Sequence, residues 1–286
     1  MSLSRSVLYV GLPASGKTTF LALLYRAIAA GHAGELRLGA YRDDREYVND
    51  VAKRLARCEE AQRTQTDHDE QQLGLSLRFA SEEMFLRIPD MSGELWSHVL
   101  EDRRWSVDLD RDVAEATGFV LFVHSDRIDP DPLIDDVEDG TDALTGEKAP
   151  EGETTGVPTG LGDEVRRTRG TQVELVDLVQ LLARRRRPHA IRLSIIASAW
   201  DLQPETLVPA DWLIDDLPLL SQFLETNSRQ VEWDVWGVSA QGGDFSNSGR
   251  RDELLRRDVV ERAIVKARSG DSSTIAAPMK WALRII

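Results

Sequence analysis

Cysteine is almost absent from this chain of 286 residues, and the single example, Cys58, excludes an internal disulfide. Neither Cys58 nor the five histidines show the spacing of zinc ligands, so we expect no structural zinc site. Long hydrophobic runs are also missing. No stretch approaches the ~20 apolar residues of a membrane span, and the first residues lack a signal-peptide core. We therefore expect a cytoplasmic protein.

Positive charge is in short supply. Lysine and arginine number 35 against 49 aspartates and glutamates, which gives a formal net charge of -14. Because such a field repels polyanions, we expect neither nucleic acid nor an anionic membrane as a partner. A protein partner, in particular a basic one, is the more natural expectation.

The most informative feature present is a glycine-rich loop with the pattern G-x-x-x-x-G-K-T at residues 11–18. It follows an apolar segment, residues 7–10, and precedes an apolar-faced helical pattern. Backbone N–H groups of such a loop bind the phosphates of a nucleoside triphosphate, Lys17 reaches the outer phosphates, and the Thr18 hydroxyl binds Mg²⁺. The helix that follows adds its positive end. The predicted nucleotide-binding residues here are Gly11, Ala14, Ser15, Gly16, Lys17, Thr18 and Thr19.

Apolar runs bounded by polar turns recur along the chain, at residues 7–10, 119–123, 191–197 and 235–238. Such runs are typical of strands buried on both faces of a parallel sheet, and helical patterns lie between them. In residues 73–79 and 84–88, apolar and polar residues instead alternate on either side of a polar turn, which predicts a β-hairpin. The pattern predicts an α/β fold with a doubly wound, mostly parallel sheet and one antiparallel edge hairpin.

Two segments depart from this alternation. Residues 42–63 are charged, with apolar residues at four-residue spacing, and predict an inserted helix. Residues 126–170 are rich in Asp, Glu, Gly, Pro and Thr, and predict an acidic, partly disordered insertion. We interpret residues 1–286 as a single domain that carries both insertions.

Three further fragments lie at the predicted carboxyl ends of strands, where open α/β sheets bind ligands. Asp90, after the hairpin, is placed to coordinate Mg²⁺ through water, and Gly93 offers an N–H to the terminal phosphate. Asp201 can accept both the ring N–H and the exocyclic amine of guanine. The backbone amides around Ser239 and Ala240 can meet the guanine carbonyl oxygen.

Together, and in this order, the motifs resemble the Ras-like branch of the P-loop GTPases. Four segments are also similar to the bacterial double-GTPase family: residues 89–94, 200–201, 239–243 and 275–281. The resemblance implies a P-loop GTPase fold with insertions, Mg²⁺, and GTP or GDP as the bound nucleotide. It also implies a protein partner, such as a second GTPase or an activating protein, in a multi-protein signalling or conflict system. A switch threonine should close over the magnesium and terminal phosphate, and Thr66 is preferred to Thr64 by its distance from the hairpin.

Two departures from the family pattern affect the predicted chemistry. Ser198 and Ala199 replace the family's Asn and Lys. The asparagine that supports the phosphate loop and the lysine side chain that packs on the base are therefore missing. Trp200 is a candidate to cover the base instead. Glu94 stands where many relatives carry the glutamine that orients the attacking water. A carboxylate there repels the terminal phosphate unless a cation offsets it. Glu94 is therefore either a water-positioning residue or base that acts with a partner, or a first-turn acid that stabilises the helix dipole.

Several functions are compatible with these features. The leading one is a magnesium-dependent switch that binds and hydrolyses GTP, with Lys17, Glu94 and Thr66 as catalytic residues and Thr18, Asp90 and Thr66 at the metal. The alternatives are a GTP-holding scaffold with little hydrolysis, and an ATP-dependent P-loop kinase or ATPase. The arginine run at residues 184–187 could supply an arginine finger in cis or a kinase lid, but a solvated helix end is the preferred interpretation, because cations suit a helix carboxyl end and Pro188 follows.

Overall fold

The computed structural model describes residues 5–39, 45–59, 73–89, 94–130 and 170–285. Its strands are β1 (Arg5–Val10), β2 (Leu36–Leu38), β3 (Leu73–Phe79), β4 (Glu82–Ile88), β5 (Gly118–His124), β6 (Ile191–Ser198), β7 (Val231–Ser239) and β8 (Ile264–Lys266). Its helices are α1 (Lys17–Ala29), α2 (Arg45–Ala56), α3 (Glu94–Asp102), α4 (Val107–Glu115), α5 (Thr171–Arg186), α6 (Pro209–Asp216), α7 (Pro218–Thr226), α8 (Ser248–Leu255) and α9 (Ala277–Ala282). A short 3₁₀ turn, Trp200–Leu202, follows β6.

The described strands form one sheet in the order β2-β3-β4-β1-β5-β6-β7-β8. Strands β4, β1, β5, β6 and β7 are mutually parallel. The pairs β2–β3, β3–β4 and β7–β8 are antiparallel. The predicted fold class, including the hairpin, is confirmed. Strands β2 and β8 extend the two edges, and neither was predicted because three residues are too few to show a periodicity.

Successive side chains of the central strand, β1, point to opposite faces of the sheet and pack in two separate cores. Val7 and Tyr9 face the core that contains α1, α2, the hairpin and α9. Leu8 and Val10 face the core that contains α3 to α7. Because helices cover both faces, β6 is buried along its whole length. Burial on both faces explains why the central strands are continuous apolar runs in the sequence.

The parallel strands place several chain segments along one edge of the sheet. Strands β1, β5, β6 and β7 end there at Val10, His124, Ser198 and Ser239. The β1–β4 pairing brings the end of β4, at Ile88, to the same edge. The glycine-rich loop and the two predicted base-binding fragments follow three of these ends, so the fold itself assembles the candidate site.

The two predicted insertions are covered only in part. Helix α2 lies within residues 42–63, and its Val48, Ala52 and Leu55 are buried in the core beneath α1. Residues 42–44 and 60–63 lie outside the described residues, as do residues 131–169 of the acidic segment. In the part of the chain that the structure describes, no helix combines the length and apolar character needed to span a bilayer.

Candidate functional site

The glycine-rich loop adopts a conformation that requires glycine at both ends. Gly11 has φ 150° and Gly16 has φ 90°. A Cβ atom on Gly11 would lie 2.7 Å from the carbonyl oxygen of Phe122, and one on Gly16 would lie 3.0 Å from the side chain of Ser198. Close approach and positive φ together exclude larger residues. The spacing of the two glycines in the motif therefore reflects where the loop passes β5 and β6.

Lys17 is held inside this loop. Its side chain is only 3% exposed. Its Nζ donates to the carbonyl oxygens of Gly11 and Leu12, each at 2.9 Å, and to Ser15 Oγ at 3.3 Å. A buried ammonium with these partners is fixed in position before any ligand arrives. It supplies positive charge where the outer phosphates of a nucleotide bind in such loops.

The start of α1 is open toward an anion. Gly16 is the N-cap, no side chain caps the helix, and the first turn carries no acidic residue. The first N–H groups of the helix and the positive end of its dipole are therefore available to phosphate oxygens. Half-buried Thr18 and Thr19 lie in the same turn.

The site also suits a magnesium ion bound together with phosphate. Mg²⁺ prefers oxygen ligands and commonly combines one or two protein oxygens with phosphate oxygens and water. The Thr18 hydroxyl, beside the anion site, fits that requirement. Within the described ranges no cluster of three His, Cys, Asp or Glu side chains could hold a metal. Asp90 and Thr66, the other predicted ligands, lie outside those ranges.

Other predicted residues are covered by the structure only partly. Gly93 lies outside the described residues, and Thr64 does too. Glu94 is the first residue of α3, so its backbone stands at a helix N-terminus, whereas its side chain is outside the described part. The catalytic assignments of Thr66 and Glu94 stay predictions.

The residues predicted to recognise the base lie at the carboxyl ends of two neighbouring strands, β6 and β7. Asp201 is in the 3₁₀ turn after β6 and is half-buried, and its carboxylate makes no hydrogen bond or salt bridge to the residues that the structure describes. Ser239, at the end of β7, is buried, and its Oγ accepts from the N–H of Gly242 at 2.9 Å. That bond closes the turn that contains Ala240. The pairing of β6 with β7 keeps both fragments adjacent.

Trp200 is a core residue. It is 5% exposed, and a Cβ on Gly237 would lie 2.2 Å from its ring. The ring also packs edge to face against Trp212, with 6.2 Å between centroids. The hypothesis that Trp200 covers the base is therefore wrong. The indole instead anchors the backbone next to Asp201.

Ser198 partly replaces the missing asparagine brace. Its side chain contacts the position where a Gly16 Cβ would be, at 3.0 Å. Its Oγ is buried and has no hydrogen-bond partner among the residues that the structure describes. The serine therefore supports the phosphate loop by van der Waals contact and not by the hydrogen bond expected from asparagine.

Two residues that the sequence did not single out, His124 and Arg127, lie beside the phosphate loop. Together with Leu12 to Ser15, they line a cavity of about 600 Å³. The N–H of Asp126 donates to His124 Nδ1 at 3.2 Å, which places the proton of the neutral ring on Nε2. The only available signal for His124 was its position at the end of a buried strand.

The protonation of His124 depends on its surroundings. Burial lowers the pKa of His124, and the Arg127 guanidinium lowers it further, whereas the carboxylates of Asp126 and Asp201 oppose the shift. At neutral pH the ring is therefore uncharged and available as a hydrogen-bond donor. Arg127 is exposed, and it adds a cation to this wall of the cavity.

The arginine run at residues 184–187 lies away from the site. It ends α5, whose other end, at Thr171, lines the cavity. A helix of 16 residues is about 24 Å long. Arg185 pairs with Asp110, Arg186 donates to the Ala114 carbonyl, and Arg187 donates to Gln230. These contacts support the solvated helix end over an arginine finger in cis.

A doubly wound sheet with a G-x-x-x-x-G-K-T loop between β1 and α1, and with base-reading candidates after β6 and β7, defines the fold of the P-loop GTPases. The Double-GTPase 1 family model matches residues 8–282. The chain belongs to that family, which confirms the resemblance seen in the sequence.

Solved structures that match this chain include the following three, all at low identity and with TM-scores under 0.5. The SRb-GTP/SRX complex of the signal recognition particle receptor from Chaetomium thermophilum shares 17% identity, with a TM-score of 0.42 and coverage of 90% of this chain and 98% of that one. Nucleolar GTP-binding protein 1 from Plasmodium falciparum shares 12% identity, with a TM-score of 0.36 and coverage of 90% and 89%. GDP-bound Roco2 from Methanosarcina barkeri shares 12%, with a TM-score of 0.32 and coverage of 93% and 53%. No curated protein matches the chain significantly.

Proposed function

We propose that this chain is a magnesium-dependent switch that binds GTP and hydrolyses it slowly until a partner protein assists. Membership of the Double-GTPase 1 family supports GTP binding. The observation that carries the proposal is the phosphate loop, in which the Lys17 ammonium is fixed by Gly11 and Leu12 beside an uncapped helix start. That arrangement places the Lys17 charge and the free N–H groups of the helix where nucleotide phosphates bind, and the ammonium exchanges a loop acceptor for a phosphate oxygen on binding.

Selection of guanine is assigned to the edge of the sheet next to this loop. The Asp201 carboxylate accepts the ring N–H and the exocyclic amine of guanine, a donor pair that adenine does not present. The amides around Ser239 and Ala240 donate to the guanine carbonyl oxygen. Because Asp201 makes no hydrogen bond or salt bridge within the described residues, its desolvation on binding is compensated only by the base.

Hydrolysis requires a water molecule to attack the terminal phosphate, with GDP and phosphate as products. Lys17 binds the outer phosphates, and magnesium, held by Thr18 with Asp90 and Thr66, supplies charge neutralisation when bound. Glu94 orients the water or accepts its proton once a partner offsets the repulsion between its carboxylate and the phosphate. The partner is a protein, such as a second GTPase or an activating protein, in a bacterial multi-protein signalling or conflict system, as the family resemblance suggests.

The same substitution at Glu94 favours a second candidate function. If the repulsion is never offset, the chain holds GTP without turning it over and serves as a scaffold whose shape depends on the bound nucleotide. Both candidates share the binding site, and they differ only in the chemical step.

Single-turnover hydrolysis of labelled GTP, with protein and Mg²⁺ in excess, distinguishes them. We expect conversion to GDP at a rate on the order of 10⁻⁴ to 10⁻² s⁻¹, as in GTPases without an activating protein. Lys17→Ala should abolish it, whereas Lys53→Ala, at an exposed position on α2, should not. Tight GTP binding with no turnover would establish the scaffold, and failure to bind GTP would contradict the proposal.

Glu94→Gln tests the explanation for slow turnover. A neutral amide removes the repulsion and can still hold a water molecule, so the intrinsic rate should rise. A lower rate in the variant would show that the carboxylate already acts as a base without a partner.

A further inference from the structure

Arg262 is a buried arginine that joins two distant parts of the chain. Its side chain is 3% exposed. The guanidinium donates to Cys58 Sγ and to the carbonyl oxygens of Leu55 and Ala56, more than 200 residues away in sequence. Leu55 and Ala56 are the last residues of α2, and Cys58 lies two residues beyond it. In the sequence, Thr66, the predicted switch threonine, follows Cys58 by eight residues.

The charge of Arg262 is compensated by the helix end. No carboxylate among the described residues pairs with the guanidinium, and its Nε is buried without a hydrogen-bond partner. The carbonyl groups at a helix carboxyl end carry partial negative charge, which favours a cation there. Cys58 adopts a left-handed conformation, φ 52°, where α2 ends: its N–H donates to the Leu55 carbonyl, and the Glu59 N–H donates to the Arg54 carbonyl. Arg262 therefore contacts the turn that terminates α2.

The backbone of Arg262 lies against the predicted base-reading loop. A Cβ on Gly242 would lie 2.2 Å from the Arg262 carbonyl oxygen, so the two backbones are in direct contact. The Gly242 N–H donates to Ser239, and the Gly242 carbonyl accepts from Arg250 at 3.0 Å. Gly242 is therefore held between Ser239, Arg250 and Arg262, and a shift in this loop must move at least one of them.

We propose that Arg262 is a positioning residue that couples the loop of residues 239–243 to the carboxyl end of α2. The inference rests on the proposed function for its ligand. Guanine in the loop fixes Gly242 and the Arg262 backbone, and the guanidinium then holds the last turn of α2. Occupancy of the base site is thereby transmitted to residues 57–59, where α2 ends. By linkage, order at the end of α2 strengthens binding of the base equally.

The first test needs no nucleotide. Gly242→Ala forces the Arg262 backbone to move, so the amides of residues 57–59, which bond to carbonyls of α2, should exchange hydrogen about tenfold faster or more. Gly31→Ala is the matched control, because Gly31 has a similar φ of 80° and its new Cβ would have no neighbour within 4 Å. Exchange within α5 should be unchanged in both variants, which separates a local effect from global destabilisation. Unchanged exchange at residues 57–59 in Gly242→Ala would overturn the proposal.

The second test compares GTP with tripolyphosphate, each with Mg²⁺. Tripolyphosphate fills the phosphate loop but offers no base. In the wild type, GTP should protect residues 57–59 more than tripolyphosphate does. In Arg262→Gln the two should protect equally, and Arg262→Lys, which keeps the charge, should restore part of the difference. A GTP-specific effect that survives in Arg262→Gln would overturn the coupling. Absence of GTP binding by calorimetry would instead refute the proposed function, while the glycine variants would still decide whether the link exists.

Discussion

Lys17 and Asp201 are charged residues that the fold treats in opposite ways. Lys17 is buried and bonded to loop carbonyls, so its positive charge is preorganised for phosphate. Asp201 is half-buried and without a hydrogen bond or salt bridge to the described residues, so its carboxylate is open to water or to a ligand. We expect the first arrangement to provide affinity for any nucleotide. We expect the second to provide discrimination, because a base without the N–H pair would leave the carboxylate unpaired.

His124 predicts a pH dependence of stability. Its pKa is lowered from 6.5, chiefly by burial, so the unfolded chain takes up the proton at a higher pH than the folded protein does. As pH falls below about 6.5, wild type should therefore lose stability relative to His124→Gln, and above that value the difference should not change with pH. Urea unfolding of both proteins between about pH 7.5 and 5.5 measures this. A difference that is constant with pH, or that grows in favour of wild type on acidification, would contradict the assignment.

At the scale of helices and strands, the turn after β6 depends on a glycine in β7. A Cβ on Gly237 would lie 2.2 Å from the Trp200 ring, which has no room to move in the core. Gly237→Ala should therefore destabilise the protein by about 1–3 kcal/mol and shift Trp200 fluorescence. Because Asp201 follows Trp200, the preference for GTP over ATP should also fall.

The matched control for that variant is Gly74→Ala, in β3. The nearest atom to the new Cβ there is the Leu86 carbonyl oxygen at 4.0 Å, so stability should change by less than about 1 kcal/mol. Chemical denaturation and nucleotide titration of both variants test the pair. Equal effects of the two substitutions would show that Trp200 does not hold the turn.

The basic end of α5 gives a prediction of no effect. Arg185→Gln with Arg186→Gln removes contacts to Asp110 and Ala114, both in α4 and remote from the phosphate loop. The single-turnover rate of GTP hydrolysis should stay within about twofold of wild type. A rate loss of about tenfold or more would restore the arginine run as a finger in cis.

The sequence predicts some elements well and others not at all, for physical reasons. Strands β1, β5, β6 and β7 are recognisable in the sequence because burial on both faces demands continuous apolar residues. Strands β3 and β4 are recognisable because apolar and polar residues alternate along both strands of the hairpin. The roles of Trp200 and Arg262 could not be predicted. The sequence around Trp200, next to Asp201, is the same whether its ring contacts a ligand or the core, and this also holds for Arg262. Only contacts with residues distant in the sequence distinguish the two possibilities.

For the whole molecule, the sheet is what turns separate motifs into one site. Four parallel strands end side by side, so Lys17, Ser198, Asp201 and Ser239 lie at or after neighbouring strand ends although more than 200 residues separate the first from the last. The formal charge of -14 makes this edge unusual, since the phosphate loop must attract an anion against the field of the protein. Lys17, the helix dipole of α1 and magnesium are the means available for that.

Selection of GTP over ATP at the carboxyl ends of these strands is tested directly by calorimetric titration of wild type and Asp201→Asn with each nucleotide and Mg²⁺. We predict that wild type binds GTP about a hundredfold or more tightly than ATP, and that Asp201→Asn loses most of this preference by weakening GTP alone. Equal affinities in wild type, or a preference for ATP, would contradict guanine recognition by Asp201 and favour an ATP-dependent kinase or ATPase built on the same phosphate loop.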